Sequence, residues 1–302
     1  MIEQSLEANP QAAGQLEQLR SVFPVDRLEP IGGALVADGD RIAFESLMRG
    51  DGVDALKAFG PLTGTGTTPL LGELPGDSWV ALGAPDVGSS AKAVFSRAAG
   101  ALGGAAAAGQ LQQRYGLDLQ RDVFDQLGDV ALFARDSDKG DVEGGAVIGV
   151  KSAEPQQART FAKLVGLMRV EGGEDVQPVR VAGADSAFRV AETDIGKPLI
   201  FARARDRYVL AYGERAAAAA LEPRDRLADS PLYAQGKAAL DGDHEPSFLL
   251  AMPQLLRAVE RMGHPDAHYD KAKPYLDAFS VIASGGTFEG DEVRSRVAAG
   301  LK

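Results

Sequence analysis

The chain has 302 residues, 45% of them apolar and 25% charged, enough for one large domain or two ordinary ones with an ordinary globular core. A formal net charge of −11 argues against nucleic acid or an anionic membrane surface as partner, because phosphate binding needs clustered Lys and Arg. The absence of cysteine excludes disulfides, thiolate nucleophiles, iron–sulfur clusters and Cys-based zinc sites, and leaves the redox compartment open.

Taken in chain order, the first fifty residues read as a worn copy of the last fifty. Laid over each other without a gap, Met1 falls on Met252, Ile31 on Ile282 and Gly39-Asp40 on Gly290-Asp291. Each stretch has a polar helical run, a short apolar strand, an acidic turn and a second strand. Such self-similarity predicts an array of one building block. The first copy, residues 1–50, lacks an opening strand, so the chain is expected to begin part-way through a unit. Its start, Met-Ile-Glu-Gln-Ser, is too polar for a signal peptide, and no stretch approaches the roughly 20 apolar residues that span a bilayer.

Pro61 to Pro69 reads as a linker. The middle copy opens with a strand at Ser78–Leu82. Pro85, suited to the first turn of a helix, then begins a helix running towards Gly103. A second strand at Val130–Ala134 is followed by an acidic turn, Asp136 to Gly144, and a third strand to Val150. A helix over Glu154–Met168 places Phe161, Leu164, Val165 and Met168 on one face. Short strands at Val176–Val181, Ala187–Ala191 and Leu199–Tyr212 and helices at Glu214–Leu221 and Pro231–Leu240 come next. The last copy runs from a strand at Ser247–Ala251 through Pro253 and helices to Leu276, then Phe279–Ala283, a turn at Glu289–Asp291 and a final strand to Leu301. Leu127–Ala134 superposes on Leu276–Ala283 with the same apolar alternation, the mark of strands with one buried face. The expected class is α+β: repeated strand-helix-hairpin half-modules forming an antiparallel sheet with helices packed on one face. Residues 1–60 are expected to be the tail of a preceding unit, 61–73 a linker and 74–302 a complete unit.

Leu74-Pro-Gly-Asp-Ser-Trp-Val-Ala-Leu-Gly83, followed by a Pro-Asp helix, resembles the opening of a bacterial family known only as domain of unknown function 3352. Arg207-Tyr-Val-Leu-Ala-Tyr-Gly-Glu214, an Ala-rich helix and Ser230-Pro-Leu-Tyr233 resemble that family's later signature. The resemblance covers about residues 74–302. It implies an extracytoplasmic or cell-surface protein, often anchored by an upstream membrane segment, and it brings no activity and no catalytic residues.

Motifs that could carry chemistry are few. Ser89-Ser-Ala-Lys92 matches the S-x-x-K pattern of penicillin-binding enzymes, but no Lys-Thr-Gly strand accompanies it, and Ser at a helix start is an ordinary cap. Asp136 to Glu143 has the flavour of a calcium loop without EF-hand spacing, and Asp, Ser and Gly also suit a hairpin turn. Gly64-Thr-Gly lacks the Lys of a phosphate loop. The three histidines, His244, His264 and His268, lie close in sequence to Asp243, Asp266 and Asp270, and imidazole with carboxylate can hold zinc. Gly263 and Pro265 make that stretch a loop, where solvated histidines are the alternative. The expectation is a non-enzymatic extracytoplasmic scaffold with no cofactor, binding a protein, peptide or apolar ligand. A flat exposed strand edge would favour strand addition, and an apolar cleft would favour ligand carriage. The alternative is a metal-dependent or other hydrolase at the His244/His264/His268 loops.

Overall fold

A computed structural model describes residues 32–50, 53, 66–101, 104–172, 176–192, 197–242, 244–261, 263 and 267–302. The strands are β1 (Gly32–Asp38), β2 (Arg41–Arg49), β3 (Val80–Ala84), β4 (Leu127–Asp136), β5 (Val142–Val150) and β6 (Gln177–Val179). They continue with β7 (Ser186–Glu192), β8 (Pro198–Ala204), β9 (Arg207–Tyr212), β10 (Phe248–Ala251), β11 (Phe279–Glu289) and β12 (Glu292–Leu301). The helices are α1 (Pro69–Gly72), α2 (Val87–Ala101), α3 (Gly104–Tyr115), α4 (Glu154–Gly172), α5 (Glu214–Leu221), α6 (Pro231–Ala239), α7 (Met252–Arg261) and α8 (Ala267–Leu276).

The described strands form one twelve-stranded antiparallel sheet in the order β1-β2-β12-β11-β10-β3-β4-β5-β9-β8-β7-β6. The expected α+β class with an antiparallel sheet is therefore observed. β3 and β10 lie side by side at its centre. From β3 the chain passes through α2, α3 and a π-helical turn at Leu119–Phe124, and from β10 through α7 and α8. Each time it returns as a hairpin, β4–β5 on one side and β11–β12 on the other. β1–β2 pairs like β11–β12: Asp38 faces Arg41 across Gly39-Asp40, as Glu289 faces Glu292 across Gly290-Asp291. Gly39 and Gly290 hold φ of 59° and 63°, a conformation that suits Gly at the first centre of a type II′ hairpin turn.

Directly opposed residues share a face of the sheet, so the registers show where the core sits. One face carries a row running Ala43, Ala298, Ala283, Leu249, Ala81, Phe133 and on to Ala211 and Ile200, all buried. α1, α5 and α6 cover this row with Leu70, Leu71, Ala216, Ala217, Ala220 and Leu232. Small residues on both partners bring helix and sheet close. At Gly236 of α6, a Cβ would sit 2.1 Å from Leu249 Cδ2. Fully buried leucines such as Leu71, Leu227, Leu240 and Leu249 each contribute about 1.5–3 kcal/mol by leaving water.

The opposite face is covered at one end by α4. Phe161 stacks on Phe201 with ring centroids 4.5 Å apart and packs beside Tyr208, whose hydroxyl donates to the Gln157 carbonyl at 2.8 Å. Helices thus pack on both faces, which corrects the expectation of one. α4 covers the second because its Phe161, Val165 and Leu164 stripe meets the outward residues of β8 and β9.

Local structure departs from sequence expectation in three further places. Asp86 takes φ of 45°, so Pro85-Asp86 forms a turn and α2 starts at Val87. The run Leu199–Tyr212 is two strands, broken at Arg205-Asp206, where Arg205 has φ of 44°. Within the expected linker, Pro69–Gly72 is a helical turn capped by Thr68 and buried through Leu70 and Leu71. The helical run expected ahead of Gly32 and linker residues 61–65 lie outside the described residues.

Candidate functional site

His264, Asp243 and Asp266 lie outside the described residues. His244 sits in the connection entering β10, its Cβ against Gly285 of β11. His268 lies exposed on α8. The carboxylate beside His244 is already engaged, since Glu245 accepts from Tyr233 at 2.9 Å and from Lys237. The Lys237 hydrogen bond holds Glu245 below its usual value, while burial and the bond to Glu245 push Tyr233 up to about 12. Among the described residues, no three His, Asp or Glu side chains gather closely enough to hold a metal ion.

The Ser-x-x-Lys pair is divided between separate partners. Ser89 hydrogen bonds to Asp86, and Lys92 Nζ donates to Asp125 Oδ1 at 2.9 Å. Burial opposes ionisation of Asp86, yet bonds from Lys151 and Ser89 outweigh it and hold that carboxyl low. The acidic hairpin is splayed in the same way. Asp136 meets Arg261 at 2.7 Å, Asp138 meets Arg215, Asp141 meets Lys197 at 3.8 Å, and buried Glu143 meets Arg135 at 3.2 Å. Four carboxylates reach for four different cations and do not converge on one point. Ser137 Oγ accepts from the backbone of Lys139 and Asp141, closing the turn as a hairpin.

The clefts are walled by charge. One of 580 Å³ is lined by Asp77, Arg135, Asp138, Arg215, Glu222 and Arg224, and one of 900 Å³ by Glu73, Asp185, Arg205, Asp206, Arg207 and Arg226. Much of that charge is paired: Arg135 with Asp77 at 3.3 Å, and Arg207 with Glu73 at 2.9 Å. The first cleft also carries Pro75, Ala182, Ala218, Ala219 and Pro223 between its charges, whereas the second is mainly polar and does not suit a greasy ligand.

The open surface lies at the end of the sheet. β1, Gly32-Gly-Ala-Leu-Val-Ala-Asp38, is exposed along its whole length and, among the described strands, closes the order on that side. Leu35 is 75% exposed and Phe44, facing it on β2, 48%. Val297, facing Phe44 on β12, is 47% exposed and continues the same row. The Phe44 ring lies over Gly33, filling the place where a Cβ would stand, 2.8 Å from its Cζ. The seam behind this hairpin is well tied. Arg296, 8% exposed, bonds Glu45 at 2.8 Å and also Asp241, which takes Arg41 as well. Ser46 and Ser295 hydroxyls meet at 2.6 Å, and Arg49 reaches Glu292 at 2.6 Å. Sequence reading did not single out this edge. The signal available was a run of seven residues without Lys, Arg or Pro, apolar at successive positions.

No family model matches the chain, and no curated protein matches it. Among solved structures, the crystal structure of the RctB domains 2-3 aligns over 91% of this chain and 92% of that one, at 10% identity and a TM-score of 0.10. A likeness at that level carries no argument. No helix among the described residues is long and apolar enough to cross a membrane.

Proposed function

We propose that the chain is a non-enzymatic extracytoplasmic scaffold that binds a protein or peptide partner by accepting an extended strand along β1. The observation carrying this reading is that β1 is exposed throughout and, among the described strands, pairs on one side only, while its neighbours inside the sheet are paired on both sides. An unpaired edge offers a row of backbone donors and acceptors, and natural edges are commonly guarded by Lys, Pro or a bulge. β1 has none of these; its one charge, Asp38, is held by Arg41 at 3.1 Å. The matching turns and registers of β1–β2 and β11–β12 support reading these two hairpins as copies of one building block. The resemblance of 74–302 to domain of unknown function 3352 supports membership of that family and the outward-facing location.

The test is amide hydrogen exchange with and without a synthetic peptide spanning Pro246 to Met252, the sequence of a strand this sheet already accepts at β11. The peptide is expected to slow exchange at Gly33, Leu35 and Ala37 about tenfold at saturation, because added ladder bonds must open before exchange. Unchanged exchange at all three positions at millimolar peptide would overturn the reading. A metal-dependent hydrolase is the second reading, favoured by one observation: His244 Nδ1 is buried without a hydrogen-bond partner. Calorimetric titration with zinc decides it, since absence of heat removes the metal.

A further inference from the structure

We propose that two copies of this chain associate through β1, pairing antiparallel about Leu35, so that their sheets join into one across a two-fold axis. This rests on the reading of β1 as a strand-accepting edge, and it names the partner.

The geometry begins at the hairpin turn. Asp38 and Arg41 close a two-residue turn as opposed residues, and in such a hairpin the closing pair exchanges both backbone hydrogen bonds. Bonded and non-bonded pairs alternate from there. Asp38, Val36, Ala34 and Gly32 therefore turn their N–H and C=O groups towards β2. Gly33, Leu35 and Ala37 turn theirs outward, to the open edge. An antiparallel copy centred on Leu35 sets Leu35 against the partner's Leu35, and Gly33 against the partner's Ala37. Every outward donor then meets an acceptor.

Side chains agree with that register. Leu35, Phe44 and Val297 form an exposed apolar row on one face, and the two-fold axis joins this row to its copy with the two leucines in contact. Asp38 falls opposite the partner's Gly32, so no like charges are opposed despite a net charge of −11 per chain. The molecule also contains such a junction already. β2 and β12 belong to hairpins with the same turn and register, and they pair with each other about Glu45 and Arg296. Arg41, the first residue of β2, faces Gly300, and Arg49, its last, faces Glu292, the first residue of β12. Matching strands thus meet edge to edge around a local two-fold.

The chain's lack of cysteine makes the test clean. Leu35→Cys is expected to oxidise to a covalent dimer, because directly opposed Cα atoms stand about 5.5 Å apart, within disulfide reach. Ala37→Cys is expected to stay uncrosslinked, since the two copies of that position lie four residues apart, about 13 Å along the strand. In sedimentation equilibrium the unmodified chain should be a dimer and Leu35→Lys a monomer, with Val142→Lys, an exposed change elsewhere, remaining dimeric. A monomer at every concentration overturns the proposal. So does a dimer in which Ala37→Cys crosslinks as readily as Leu35→Cys. If the chain is monomeric yet the Pro246–Met252 peptide still protects the β1 amides, the dimer falls and strand addition stands. If neither occurs, both fall.

Discussion

Asp122 is 5% exposed and remains ionised because Arg121 and Lys163 both reach it, Lys163 Nζ at 2.7 Å. Burial by itself would raise this carboxyl. The hydrogen bonds from Arg121 and Lys163 outweigh that and hold it down to about 2, against an ordinary 3.8. A carboxyl whose value is lower in the folded chain adds stability above its unfolded value, and that stability is lost as pH falls towards the folded value. The window is therefore between about 4 and 2. Lys163 also donates to the Gly116 carbonyl at 3.0 Å, so the charge pins α4 to the turn ahead of β4. Asp122→Asn is expected to cost on the order of 1–2 kcal/mol at pH 7, with the difference shrinking towards zero near pH 2. Urea unfolding of both proteins at pH 7 and pH 2.5 checks the sign. An equal deficit at the two values would mean that shape, not charge, is what matters there.

At the scale of elements, the start of α2 is fixed by contact. A Cβ on Gly88 would stand 2.2 Å from the Phe124 carbonyl oxygen and 2.4 Å from that of Leu127, both backbone atoms that cannot swing aside. Gly88→Ala is therefore expected to destabilise by about 1–3 kcal/mol by forcing α2 off β4, although alanine is the better helix former. Thermal unfolding checks this, and a neutral or stabilising result would refute the contact. Alternation revealed β4 and the start of β11, and Gly-Asp pairs revealed the hairpin turns, because these signals are local. The break at Arg205-Asp206 was hidden, because a two-residue turn with a positive φ on Arg carries no Gly or Asn to announce it. The edge position of β1 was hidden for a deeper reason: strand order places β2 beside β12, far away in sequence, and composition does not encode which strand lacks a neighbour. The histidines were legible only as neighbours in sequence; the structure places His244 beside β11 and His268 on α8, and His264 lies outside the described residues.

For the whole molecule, the question is what makes β1–β2 part of one body with the rest. The seam between β2 and β12 has a full backbone ladder, and at its middle Arg296 serves Glu45 and Asp241 together. Asp241 follows α6, so one guanidinium ties the outer hairpin, the central hairpin and a core helix. Arg41 doubles the link by reaching Asp241 and donating to the Ala238 carbonyl at 3.2 Å. Removing one partner of a nearly buried ion pair costs more than the pair contributes, because the remaining charges keep their desolvation without compensation. Arg296→Gln leaves Glu45 and Asp241 without their shared cation, in a chain that already carries excess negative charge. The expected loss is about 2–3 kcal/mol, below the fully buried case because Glu45 keeps contact with water. It should fall unevenly. Amides of β2 should exchange faster while those of β3 and β10, held by the core row around Leu249 and Ala81, keep their protection. If exchange at β2 and β3 rises together, the outer hairpin is no separate cooperative unit and the seam is ordinary sheet. If β2 alone rises, the molecule is divided at the junction of its two matching hairpins, with Arg296 as the tie between them.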